Sequence, residues 1–341
     1  MKKLIIVFTV ILSLLWQGAS SQNLIVVQNG GNAAFYTNLD AGISDAMNGD
    51  TLYIPGGIFN ITVSISKCLH IIGVGHNFDT TSAAYPTYIF GEMQLDSGAS
   101  NGSINGVYIP SNVNIRGNVN NYRFDRCRIG GINSASWDAG NASWIRFPIS
   151  NVIFTENIIG NIFFGGGQFN SFCNNIMGQI KDMGNNNIYK NNIFLVGYAI
   201  WVYEISITNS TFENNIFFTP YTFWNSSLGA VFAYNTFNNN IFLQNINFPY
   251  NNTNFGYNNF VNQNPSSIFV NQNTQDYHLQ SSCPGKNAGT DGTDIGIYGG
   301  IFPWKDGGLP SNPHILSKII SSSTDSTGNL NVNIKVAAQD H

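Results

Sequence analysis

All five arginines of this 341-residue chain lie between positions 116 and 146: Arg116, Arg123, Arg126, Arg128 and Arg146. Asp125, Trp137, Asp138 and Trp144 stand among them. Guanidinium groups make charge-assisted, forked hydrogen bonds to carboxylates and other oxygen-rich groups, and indole faces attract rings and cations. Such a mixture suits a grip on a sugar chain, so these nine residues form a candidate carbohydrate-binding site. The competing reading is a solvated strand face with Arg–Asp pairs and tryptophans that pin a loop. A second set, Trp201, Tyr203, Glu204, Tyr221 and Trp224, gathers aromatic side chains downstream, where core filling competes with binding. Asp291 and Asp294, in DGTD, resemble a fragment of a calcium loop without its ligand series. A glycine-rich turn that ends the fold explains them better.

These groups need a scaffold, and repetition reveals it. Phe-x-x-Asn-x-Ile/Phe recurs from Phe124, Phe154, Phe172, Tyr189, Phe212, Phe237 and Phe255, after steps of 30, 18, 17, 23, 25 and 18 residues. Each repeat holds short apolar runs separated by Asn and Gly, with no 3.6-residue period long enough for a helix. Three strands of about three to five residues plus their turns need on the order of 20 residues, so one repeat makes one circuit of a solenoid. Leucine-rich repeats need a Leu-x-x-Leu-x-Leu frame that is missing here. The expected fold is all-β: a right-handed parallel β-helix with a short N-terminal capping helix and a small C-terminal β tail. The long first step leaves an insertion around Trp137 and Trp144, and long loops on rigid scaffolds often carry function.

The Asn slot has a structural explanation. A tight bend between strands forces a residue toward the left-handed region, which Asn tolerates. Stacking then predicts a ladder through Asn157, Asn174, Asn191, Asn214 or Asn215, Asn240 and Asn258, sealed inside the coil, with side-chain amides bonded up and down it. Cys127 takes the Asn place in its repeat, while Cys173 falls two positions earlier. With Cys68 and Cys283 the count is even and three pairings are open, yet the spacing matches no metal site. Free, buried, inert thiols are expected.

The flanks set the context. Lys2 and Lys3 precede an apolar run from Leu4 to Trp16, and Ala19, Ser20 and Ser21 offer cleavage before Gln22, the pattern of a secretory signal peptide. Residues 1–21 are thus read as signal, 22–303 as the β-helix, and 304–341 as linker and hairpin-like tail packed on the last coil. An opening unit at 36–75 places Leu39, Ile43, Ala46 and Met47 at helical spacing after Asn38, a helix that would cap the solenoid. Charged residues are 9% of the chain and the net charge is -4, which argues against a basic groove for nucleic acid. No segment after the signal is apolar for long enough to enter a membrane.

AGISDAMNGDTLYIPGGIF, HIIGVG, the Phe-x-x-Asn-Ile rungs and CPGKNAGTDGTDIGIYGG together resemble the pectin lyase-like parallel β-helix superfamily over roughly residues 24–303. The resemblance implies the fold; its members include lyases, hydrolases, esterases and adhesins, so it implies no single activity. The hydrolase branch would imply Asn-x-Asp, Asp-Asp, Gly-His-Gly and Arg-x-Lys elements, a set absent from the rungs, and Gly75-His76 is followed by Asn77. The lyase branch would imply clustered acids with calcium, whereas Glu156, Asp182, Glu204 and Glu213 are scattered singly. Inverting hydrolysis needs two carboxylates about 6.5–9.5 Å apart, which acids on neighbouring rungs could still provide. The expectation is an exported protein that binds an extended extracellular polysaccharide or acts as an adhesin, without cofactor. A polysaccharide lyase or hydrolase and a non-binding envelope protein remain the alternatives, calcium belonging to the lyase alone.

Overall fold

Short apolar runs broken by Asn and Gly cannot satisfy their backbone groups locally, so each run pairs with its counterpart one circuit away. In the computed structural model, which describes residues 24–78, 85–225, 229–309, 311 and 313–338, this pairing builds a parallel β-helix. The expected signal peptide lies outside the described residues. A 12-stranded first sheet carries the Phe-x-x segments, a 13-stranded second sheet follows the Asn corner, and a 5-stranded third sheet closes the circuit. In register, Phe124, Phe154, Phe172, Tyr189, Phe212 and Phe237 stack at the centre of the first sheet. Neighbouring rings lie 4.5 to 4.9 Å apart and within 8° of parallel. Each such pair adds about 0.5–1.5 kcal/mol beyond its burial. The last repeat departs from the pattern: Gly256, not Phe255, faces Phe237, Phe248 fills the space a side chain would take, and Phe255 points outward.

At the Asn corner two adjacent positions divide the work that the sequence assigned to one. The ladder runs through Asn157, Asn175, Asn192, Asn215, Asn240 and Asn259, each amide donating to the next at 2.9 to 3.1 Å. Asn192 also donates to Phe172 O and accepts the Asn175 amide, so its bonding capacity is filled. The residues just before, Glu156, Asn174, Asn191, Asn214, Asn239 and Asn258, hold the left-handed backbone with φ between 51° and 57° and turn outward. Asn174, Asn191 and Asn258 are therefore corner residues, not ladder members. One residue has to leave the helix-like curve to turn the chain, and only the next can point inward. A second ladder, unforeseen, runs at the opposite corner through Asn170, Asn187, Ser210, Asn235 and Asn254. Its signal was an Asn two residues before Phe172, Tyr189 and Phe237, with Ser210 in the same place before Phe212.

The N-terminal end is covered by α1, Leu39–Asp45, capped by the Asn38 side chain and buried through Leu39 and Ile43. Met47, read as part of its apolar stripe, lies exposed beyond the helix. An antiparallel pair, Ile25–Asn29 with Asn32–Tyr36, precedes it and was not anticipated.

The C-terminal end departs further from expectation. The glycine-rich stretch does not end the solenoid as a turn; it runs back along the Asn corner as an arm. Ala288 meets Asn239, Thr290 meets Asn214, Ile297 and Gly299 meet Asn174, Lys305 meets Glu156, and Leu309 meets Arg126. Beneath it, outward-facing Ile176, Ile193, Ile216 and Ile241 of the second sheet are buried by Phe269, Leu279, Ile295, Ile297 and Trp304. The final hairpin, His314–Ile320 with Val332–Ala337, pairs with no other sheet among the described residues, and Ile319 and Val336 stand exposed rather than packed on the last coil. All four cysteines are free, but Cys68 and Cys173 are only half-buried.

Candidate functional site

In the second half of several second-sheet rungs, an inward apolar side chain precedes one outward side chain. Inward Ile162, Ile180, Ile200 and Phe223 are each followed by an outward residue, and register aligns Asn114, Asn133, Phe163, Lys181, Trp201 and Trp224 in one column. Five rung spacings of about 4.8 Å make this strip about 24 Å long. It begins polar, with Asn133 donating to Asn114 and Asn114 to Glu92, and continues aromatic.

Neighbouring loops extend it. The long insertion forms a hairpin, Ala135–Asp138 with Ser143–Arg146, that places Trp137 opposite Trp144. Their ring centroids are 5.5 Å apart, and Trp144 meets Phe163 edge-on at 5.1 Å. Asp138 serves the hairpin turn: Asn141 Nδ2 and the Gly140 amide donate to it and hold its carboxyl below the usual range. Lys181 Nζ lies 4.4 Å from the Phe163 and Tyr203 ring centres and 4.8 Å from that of Trp201. Burial lowers its ammonium pKa. Trp224 packs against Trp201 at 4.9 Å, and Tyr198 and Tyr221 pair beside it at 5.4 Å. The strip thus joins Trp137 and Trp144 to the second set, Trp201, Tyr203, Tyr221 and Trp224, which the sequence reading had kept apart.

Charged side chains at the strip's edge are occupied in holding its loops. Arg146 donates to Glu204 and lies 3.9 Å from Asp182. Asp182 Oδ1 accepts the amides of Tyr203, Glu204 and Ile205, which fixes the loop carrying Tyr203. Arg116 directly follows the strand Tyr108–Ile115, with its Nη1 buried and without a hydrogen-bond partner.

The remaining arginines lie elsewhere. Arg128 sits 5.1 Å over the Tyr108 ring on the first half of the same sheet, beside a groove of about 280 Å³ floored by Gly130, Gly160 and Gly178. Side chains at those glycines would strike the carbonyl of the preceding rung. Arg123 and Asp125 pair on the outer face of the first sheet, and Arg126 is buried against Glu156 under the arm. The nine residues are thus divided between two faces. Phe163, Lys181 and Tyr198 were missed, although the recurring aliphatic-then-outward pair in successive repeats marked three of the column's members.

No protein-family model matches the chain, and no curated protein matches it. Among solved structures, a mutant of the PL6-family alginate lyase AlyGC is similar at 14% identity and a TM-score of 0.28. The match covers 77% of this chain and 58% of the enzyme, so the chain spans less than two thirds of that enzyme's length. A likeness of that size assigns no residue role here. Among the described residues no helix is long and apolar enough to cross a membrane, and no group of three His, Cys, Asp or Glu side chains is placed to hold a metal ion.

Proposed function

We propose that this chain is an exported β-helix protein of the pectin lyase-like kind that binds an extended polysaccharide along the second sheet's outer face. One observation carries the reading: aromatic rings and Lys181 follow one another along a straight strip at the rung repeat, open to solvent at Trp137, Tyr198 and Tyr221. Pyranose rings have apolar faces and donor-rich edges, so stacked aromatics hold them while asparagines and Lys181 meet the hydroxyls. The acids beside the strip already accept from Arg146 and from backbone amides, which favours binding over hydrolysis. Affinity electrophoresis on acidic and neutral polysaccharides tests this. The wild-type protein is expected to be retarded by one of them, and the combined Trp137→Ala, Trp201→Ala, Trp224→Ala variant to run freely; equal retardation of both sinks the proposal.

Lys181 supports a second reading, a lyase acting on the bound chain, because a lowered ammonium pKa brings the neutral amine nearer to the role of a base. New unsaturated ends absorbing in the ultraviolet, lost in Lys181→Met, would establish it. Their absence during prolonged incubation leaves the binding reading.

A further inference from the structure

The first sheet's outer face holds a separate hollow. A cleft of about 750 Å³ separates that face from the returning arm, a volume in the range of small-ligand sites. Its floor crosses five strands in register, from Asn105 through Asp125, Thr155 and Cys173 to Lys190. Four rung spacings make it about 19 Å long, enough for several linked rings.

The chemistry of the lining narrows the occupant. The cations there are already matched: Arg123 pairs with Asp125, Arg126 with Glu156, and Lys190 with Glu213 at 2.7 Å. Asp291 adds another carboxylate, so an anionic ligand finds no free cation. Three oxygens bordering the cleft, Asn105 Oδ1, Asp125 Oδ1 and Asn191 Oδ1, are buried and accept no hydrogen bond. A ligand rich in donors would satisfy them. Burial raises the Asp125 carboxyl above its usual range although Arg123 opposes this, which marks that end as poorly hydrated. Ile153 on the floor and Ile301 and Phe302 on the arm offer exposed apolar surface.

We propose that this cleft is a second ligand site, which takes a short neutral oligosaccharide between the first sheet and the C-terminal arm. Hydroxyl groups donate to the orphaned oxygens, and the apolar ring faces lie against Ile301 and Phe302. The arm is then part of a binding site as well as a cover.

Isothermal titration of the protein with neutral hexasaccharides of glucan, mannan, galactan and xylan, and with a hexauronate, tests the assignment. One neutral hexasaccharide is expected to bind, and Phe302→Ala and Ile301→Ala each to weaken it tenfold or more. Both side chains are exposed, so unfolding midpoints should stay unchanged and a loss of fold cannot mimic the result. The proposal fails if no neutral hexasaccharide binds, if the hexauronate binds more tightly, or if affinity survives both variants. Binding that falls instead in Trp224→Ala belongs to the strip and also overturns it.

Discussion

The two long sheets share one stacked interior and have opposite exteriors. Outside the first sheet, the arm and a buried Arg126–Glu156 pair close the corner, and the charged groups are matched among themselves. Outside the second sheet, the arm buries Ile176, Ile193, Ile216 and Ile241 of its first half, while the strip from Phe163 to Trp224 on its second half carries rings and a lysine. Identical inner rungs therefore impose nothing on the outer faces. Which face is covered depends on where the C-terminal segment travels, and which is open depends on the loops that flank it.

Three measurements would break or sharpen this contrast. The largest effect is expected from Arg126→Met. Removing one partner of a buried ion pair strands Glu156, at a cost of about 3–5 kcal/mol. Urea unfolding should show the lower midpoint, and limited proteolysis should cut the released arm between 285 and 309. An unchanged midpoint would mean that the arm is not anchored there.

Acid should act on the same covered face. His76 is buried, and Gly308 of the arm packs so closely against its ring that a side chain there would collide. Burial first, and the charge of Arg128 second, lower its pKa to about 4. The unfolded chain therefore binds a proton between pH 6.5 and about 4 that the folded chain does not, so stability is lost as pH falls through that window. At 1.36 kcal/mol per unit the loss reaches about 3 kcal/mol below pH 4. The acid slope of the unfolding free energy should flatten in His76→Gln; identical slopes would remove His76 from the account.

Smallest in stability is the open face. Trp144→Ala, at a half-buried ring on the hairpin, should shift the unfolding free energy by about 1–3 kcal/mol, the scale of its two aromatic contacts. Polysaccharide retention should nonetheless fall several-fold. A large loss of stability instead would make Trp144 a packing residue and the strip a poor candidate site.

Much of the fold was legible because a β-helix writes its period into the chain. Phe124 to Phe237 fall in register as the spacing predicted, since parallel strands one circuit apart must repeat the same inward residue. The exact ladder member was not legible. Asn174 and Asn175, or Asn191 and Asn192, are the same residue type side by side, and only the backbone turn tells which one points inward. Phe255 failed for a similar reason: Phe248, from a loop of unrelated spacing, took the interior place and left Gly256 in register. The candidate site was legible in kind but not in place. Trp137 and Trp201 are far apart in sequence, and their place on one strip depends on the hairpin folding onto Phe163 and on the pairing that sets Phe163, Lys181 and Trp201 in one column.

By itself, the sequence determined the repeat, its aromatic and Asn stacks, the capping helix and the poverty of charge, because these follow from local pattern and from composition. The tertiary structure alone decided the path of the C-terminal arm, the division of the arginines between two faces and the union of two aromatic sets in one strip. The arm rests on contacts between residues 49 to 183 positions apart, and the strip on side chains of neighbouring circuits such as Trp144 and Phe163; in both, only the packing of surfaces selects the partner.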